Sequence, residues 1–168
     1  MKIYISSDHA GFELKKFLKE ALTGLDYEVV DNGPDTYSSD DDYPDYISIT
    51  ADLVSKEKES FGIVIGGSGQ GEAICANRYK GVQAIVCYGL VHSLGELDVS
   101  GSKSTGDGFD IIRLGRMHNN ANILSLGSRF VSKEDALNAV QIFLNTKFSE
   151  EERHVRRILK IDNQNKNG

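Results

Sequence analysis

Residues 66–72 read Gly-Gly-Ser-Gly-Gln-Gly-Glu, directly after the apolar run Ile63-Val64-Ile65. A glycine-rich turn at a helix start exposes main-chain N–H groups and makes a cradle for an oxyanion. Glu72 stands at its rim as a candidate general base. The helix macrodipole favours a carboxylate there in any protein and lowers its pKa, so base chemistry needs a dry pocket to raise it again. Two nucleotide readings fail on particular residues. A G-x-x-x-x-G-K-[ST] phosphate loop needs Lys where Glu72 stands. A dinucleotide fingerprint needs an acidic residue at the end of the next strand, which reads Cys87-Tyr88-Gly89.

Three other groups could do chemistry. Asp8 and His9 follow the first strand in Ser-Asp-His-Ala-Gly, where an aspartate could equally cap the next turn. His118 precedes Asn119 and Asn120 in what reads as a loop before the last strand, and spacing alone assigns it no role. Arg153 and Arg157 stand four apart with His154 and Arg156 beside them. That pattern can fork onto phosphate or carboxylate oxygens, or form a solvated cationic face.

The elements that must position these residues alternate. Residues 3–5 read as a strand, and 12–22 as a helix with Leu14, Phe17, Leu18, Ala21 and Leu22 at helical spacing. Strands follow at 27–30, 61–65, 83–87 and 123–126; helices follow at 46–54, 72–78 and 132–145. Ser149 and Glu152 have the spacing of a capping box opening a final helix. Strands separated by helices predict an α/β, Rossmann-like, three-layer domain with a mostly parallel five-stranded sheet and helices on both faces. In such sheets ligands sit beyond the carboxyl ends of the strands, where residues 6–9 and 66–72 fall. Residues 1–162 form one expected domain with a loop-rich insertion at about 89–117, and 163–168 are a polar tail.

The chain has 168 residues, 39% of them hydrophobic, enough for one core. Its 25 acidic against 19 basic residues leave a net charge of -6, which argues against nucleic acid or an anionic membrane as partner. An anionic ligand must then be held by a local cluster. Cys75 and Cys87, without C-x-x-C spacing, suggest neither a disulfide framework nor a zinc site and fit a reducing cytoplasm. No stretch reads as a signal peptide or membrane span, so a cytoplasmic protein is expected.

Taken together, the residues resemble the type B ribose-5-phosphate isomerases, grouped with the galactose-6-phosphate isomerase subunits. The resemblance is carried by Ser7-Asp8-His9-Ala10-Gly11-Phe12, Asp42-Tyr43-Pro44-Asp45, residues 67–72, His118-Asn119-Asn120-Ala121-Asn122, Leu126-Gly127-Ser128-Arg129 and residues 153–157. It implies a dimer, or a higher oligomer, whose partner subunit helps build each site, and no metal or organic cofactor. It also implies interconversion of ribose 5-phosphate and ribulose 5-phosphate through an enediolate. On that resemblance Asp8 and His118 open the sugar ring, Glu72 moves a proton between carbons 2 and 1, and Ser68 with the N–H groups around Gly69 and Gly71 holds the enediolate oxygens, with Gly67 among the substrate-binding residues. His9, Arg153, Arg157 and Arg129 grip the phosphate; Tyr43 and Asn119 contact the sugar. A six-carbon phosphate substrate (allose or galactose 6-phosphate) and a non-catalytic sugar-phosphate or nucleotide-binding module are the alternatives. The chain departs from many relatives in carrying Gly66 where they place a cysteine base. It also has a longer link between Cys87 and His118, and an acidic run at 39–42.

Overall fold

The computed structural model describes residues 1–99 and 101–164. Five strands form one sheet: β1 (Lys2–Ser7), β2 (Glu28–Asp31), β3 (Phe61–Gly66), β4 (Ala84–Cys87) and β5 (Ile123–Gly127). Their order is β2-β1-β3-β5-β4, and every pairing is parallel. Parallel neighbours require crossovers, supplied by α1 (Phe12–Gly24), α2 (Tyr43–Lys56), α3 (Gln70–Ala76) and α4 (Asp110–Asn119), while α5 (Lys133–Asn145) and α6 (Glu152–Gln164) follow the last strand.

Alternation along the strands builds a core on each face. Ile3, Ile5, Ile63, Ile65, Leu124 and Leu126 pack under α1, α4 and α5 through Leu14, Leu18, Ile112, Val140 and Phe143. Tyr4, Val64 and Ile123 face the other way, onto Ile47, Ala51 and Val54 of α2 and Ala76 of α3. Each fully buried aliphatic side chain contributes about 1.5–3 kcal/mol of transfer free energy. No helix among the described residues is long and apolar enough to cross a membrane.

The structure corrects the sequence reading at three places. Residues 110–119, expected to be loop as far as 117, are α4, so His118 lies on a helix rather than in a loop. The apolar signal of α4 is thin because its buried positions include Asp110, Gly115 and Arg116. Gly115 is the point of close approach to β4, where a Cβ would lie 2.5 Å from Ile85 Cδ1. Ser149 does not form the expected capping box. Its Oγ meets His154 Nδ1 at 2.8 Å and the Glu151 N–H at 3.4 Å, and α6 begins only at Glu152. Of the expected tail, 163 and 164 belong to α6, and 165–168 lie outside the described residues.

Candidate active site

The helix after β1 joins one core and the helix after β3 joins the other, although β1 and β3 are neighbours. That reversal opens a crevice at their carboxyl ends. Asp8 leaves β1 in extended conformation, and its Oδ1 accepts the N–H groups of Ala10 at 3.0 Å and Gly11 at 3.2 Å, capping a 3-10 turn at His9–Gly11. The capping role open to this aspartate is therefore realised by one of its oxygens. After β3, Gly69 adopts φ +73°, which brings the turn round to the start of α3. Ser125 Oγ donates to Gly69 O at 2.7 Å. The loop after β5 secures the other two: Ser128 N–H donates to Gly66 O at 2.9 Å, Arg129 N–H to Gly67 O at 3.2 Å, and Ser128 Oγ to Ala10 O at 2.8 Å.

Glu72 lies in the first turn of α3, yet it is only 4% exposed. Its carboxylate rests over Gly66 so closely that a Cβ at residue 66 would overlap Oε1. Burial pushes the Glu72 pKa above the usual carboxylate range; a main-chain N–H pulls it down, and the charge of Asp8 adds to the rise. Desolvation outweighs the N–H groups at the helix start. Tyr43, first residue of α2, lays its ring against Gly71, where a Cβ would meet Cζ at 2.8 Å. The Arg129 guanidinium lies over Gly67, its Cζ 3.2 Å from a Cβ built there. Ser68 Oγ accepts the Gln70 N–H at 3.3 Å, and the Gln70 amide reaches the Tyr88 hydroxyl. Cys75, one turn past Glu72, is half-buried; burial and the Glu72 charge both raise its pKa, which keeps the thiol protonated.

One functional neighbour escapes sequence reasoning. Asp41 Oδ1 accepts the His9 main-chain N–H at 3.0 Å and lies 2.6 Å from His9 Nδ1. Its only signal was the acidic run at 39–42, where three consecutive aspartates look equivalent and only the fold singles out the middle one. Among the described residues, Asp8, His9 and Asp41 are the one set whose donor atoms, within 4.8 Å of one another, could share a cation. His9 Nδ1 is already engaged by Asp41, so the arrangement is that of an ion pair.

Asp8, His9, Tyr43, Gly67, Ser68, Gly69, Gly71, Glu72 and Arg129 therefore converge. His118, Asn119, Arg153 and Arg157 do not join them within one chain. His118 and exposed Asn119 end α4 at the amino edge of the sheet, one strand length away, roughly 15–20 Å. There the His118 ring lies 4.2 Å from that of His154, and His118 Nε2 lies 3.9 Å from Asp98 Oδ2. Arg153 Nε pairs with Glu151 at 2.8 Å, and Arg157 is exposed. His154 is buried, which lowers its pKa, and the charges of His118 and Arg153 push the same way.

Comparison with known proteins adds an independent observation. The profile of the Ribose/Galactose Isomerase family matches residues 3–92 and 110–161, leaving 93–109 unmatched. Ribose-5-phosphate isomerase B of Mycobacterium leprae is 34% identical over 94% of this chain and 86% of its own length. Among solved structures, ribose-5-phosphate isomerase B of Mycoplasma genitalium with bound ribulose 5-phosphate is 36% identical, with a TM-score of 0.84 over 99% of this chain and 97% of that one. A ribose 5-phosphate isomerase of Thermotoga maritima is 41% identical, with a TM-score of 0.81 over 96% and 97%.

Proposed function

The chain belongs to the ribose/galactose isomerase family, and from that premise we propose that it interconverts ribose 5-phosphate and ribulose 5-phosphate by proton transfer through an enediolate. The observation that carries this reading is the buried Glu72 carboxylate beside the glycine turn. Removing a proton next to a carbonyl leaves negative charge on oxygen, so the reaction needs a base next to preorganised donors. Glu72 takes the proton from one carbon and returns it to its neighbour. Ser68 and the N–H groups around Gly67, Gly69 and Gly71 stabilise the enediolate oxygens. Asp8 and His118 open the ring, Tyr43 and Asn119 hold the sugar, and His9, Arg129, Arg153 and Arg157 bind the phosphate. Binding that remote group aligns the reacting carbons and keeps water from the carboxylate.

The separation of the two clusters supports a homodimer as the working unit. A two-fold partner presents its amino-edge cluster to the carboxyl-edge crevice of the first chain, and the reverse. Exposed apolar residues beside both clusters support this: Ile74 is 58% exposed two positions from Glu72, and α6 exposes Val155, Leu159 and Ile161. The free thiols Cys75 and Cys87 suit the reducing cytoplasm.

The test is incubation with ribose 5-phosphate in deuterium oxide. Solvent deuterium entering carbon 1 or 2 as ribulose 5-phosphate accumulates is the expected result. Binding without exchange would reduce the protein to a sugar-phosphate-binding module, and faster turnover of allose or galactose 6-phosphate would reassign the substrate.

A further inference from the structure

Asp41 belongs to no strand or helix, yet its side chain is only 6% exposed. Oδ1 serves His9 twice, accepting its main-chain N–H and facing Nδ1. Oδ2 is buried, and no described group donates to it. A carboxylate withdrawn from water this far needs a cation to balance it, and the 2.6 Å approach of His9 Nδ1 has the length of a charge-assisted hydrogen bond. The other groups facing the ring are Asp8, whose Oδ2 lies 4.0 Å from Nδ1, Arg129, and the Tyr37 ring with its centroid 6.4 Å away. With Nδ1 committed to Asp41, Nε2 is the nitrogen left to meet a ligand.

We propose that Asp41 is a positioning residue: it holds His9 as an imidazolium and turns Nε2–H toward the phosphate group of the substrate. The proposal rests on the reading of His9 as a phosphate contact. Asp41 touches no reacting atom and acts through His9. Its hydrogen bond raises the imidazole pKa, burial opposes, Asp8 adds to the rise, and Arg129 subtracts from it. Without Asp41, His9 would face the Arg129 guanidinium with its strongest partner gone and would lose its proton at lower pH. Phosphate capture would then weaken in the range where the native protein still holds a cation.

The experiment is an NMR titration of the His9 imidazole, with its resonance assigned by His9→Gln, in the native chain, Asp41→Asn and Asp40→Asn. Asp40 is an exposed neighbour that bonds Ser39 and not His9. In the native chain the midpoint is expected above ~6.5, the ordinary imidazole value. Asp41→Asn lowers it, and Asp40→Asn, which removes the same charge from the same run, leaves it in place. Between the two midpoints, inorganic phosphate should bind Asp41→Asn more weakly, by up to about tenfold per unit of separation. KM for ribose 5-phosphate follows, while kcat changes less than about threefold. A native midpoint at or below the ordinary value overturns the proposal without any variant. So do equal midpoints in the two variants, or a loss of kcat at all pH with no shift of inflection, as a merely structural role would give. A native protein without isomerase activity would remove the proposed function, yet the His9 titration against inorganic phosphate would still decide the role of Asp41.

Discussion

Glu72 carries two opposing demands, since a base must be ionised to act and its pocket resists ionisation. Replacing it with glutamine keeps the shape and removes the proton acceptor. Glu72→Gln should lower kcat by roughly 10²–10⁴-fold with KM changed only a few-fold, measured by steady-state kinetics on ribose 5-phosphate. Because burial raises the Glu72 pKa, the acid limb of native kcat/KM should fall above the ordinary glutamate value, ~4.3, and not near it. The same shift has a consequence for folding. A raised pKa in the folded state means that stability associated with Glu72 is full below the unfolded pKa and is lost as pH rises through the folded one. Glu72→Gln should therefore melt at higher temperature than the native chain at neutral pH, with the gap closing toward pH 4. A gap independent of pH would show that burial does not oppose the charge.

Elements deliver these side chains through backbone approaches that tolerate no added atom. Gly11, in the turn after β1, faces the carbonyl oxygen of Ile65 on β3, and a Cβ there would lie 2.6 Å from that oxygen. A strand carbonyl cannot rotate aside as a flexible side chain can. Gly11→Ala should cost about 1–3 kcal/mol of stability, read by urea unfolding, and should lower activity by displacing Asp8 and His9. Five strands and five of the helices were legible because strand ends and apolar spacing coincide with the glycine and asparagine breaks. The sixth helix, α4, was not, because a buried arginine and glycine replaced its apolar stripe: Arg116 Nε donates to Thr146 O at 3.2 Å, and Gly115 meets β4. The Ser149–Glu152 spacing misled for a similar reason. The serine hydroxyl had a stronger local partner in His154 than in the helix start.

At the scale of the molecule, the sequence placed Glu72, Asp8 and His9 near one another through the rule of strand ends, and Tyr43 with them only through the family resemblance. It could not place His118 or the arginines, because the order β2-β1-β3-β5-β4 is decided by pairing between distant segments and not by any local pattern. Two clusters on opposite edges predict complementation between subunits. Glu72→Gln and Arg153→Ala should each be nearly inactive alone. Mixed after unfolding and refolding, they should recover up to about a quarter of native activity, because half the dimers are hybrid and each hybrid keeps one intact site. No recovery, with hybrids present by native mass spectrometry, would mean that each chain works by itself.

The overlap between residue 66 and the carboxylate reaches beyond catalysis. One small volume above the sheet can be furnished with a proton acceptor from below, by a side chain on the strand, or from the side, by the helix, but two tenants do not fit. Gly66 and Glu72 therefore form a coupled pair: putting a side chain at 66 would evict the acid, and removing the acid would leave the niche empty. A chain that seats its proton acceptor on the strand instead has to change both positions.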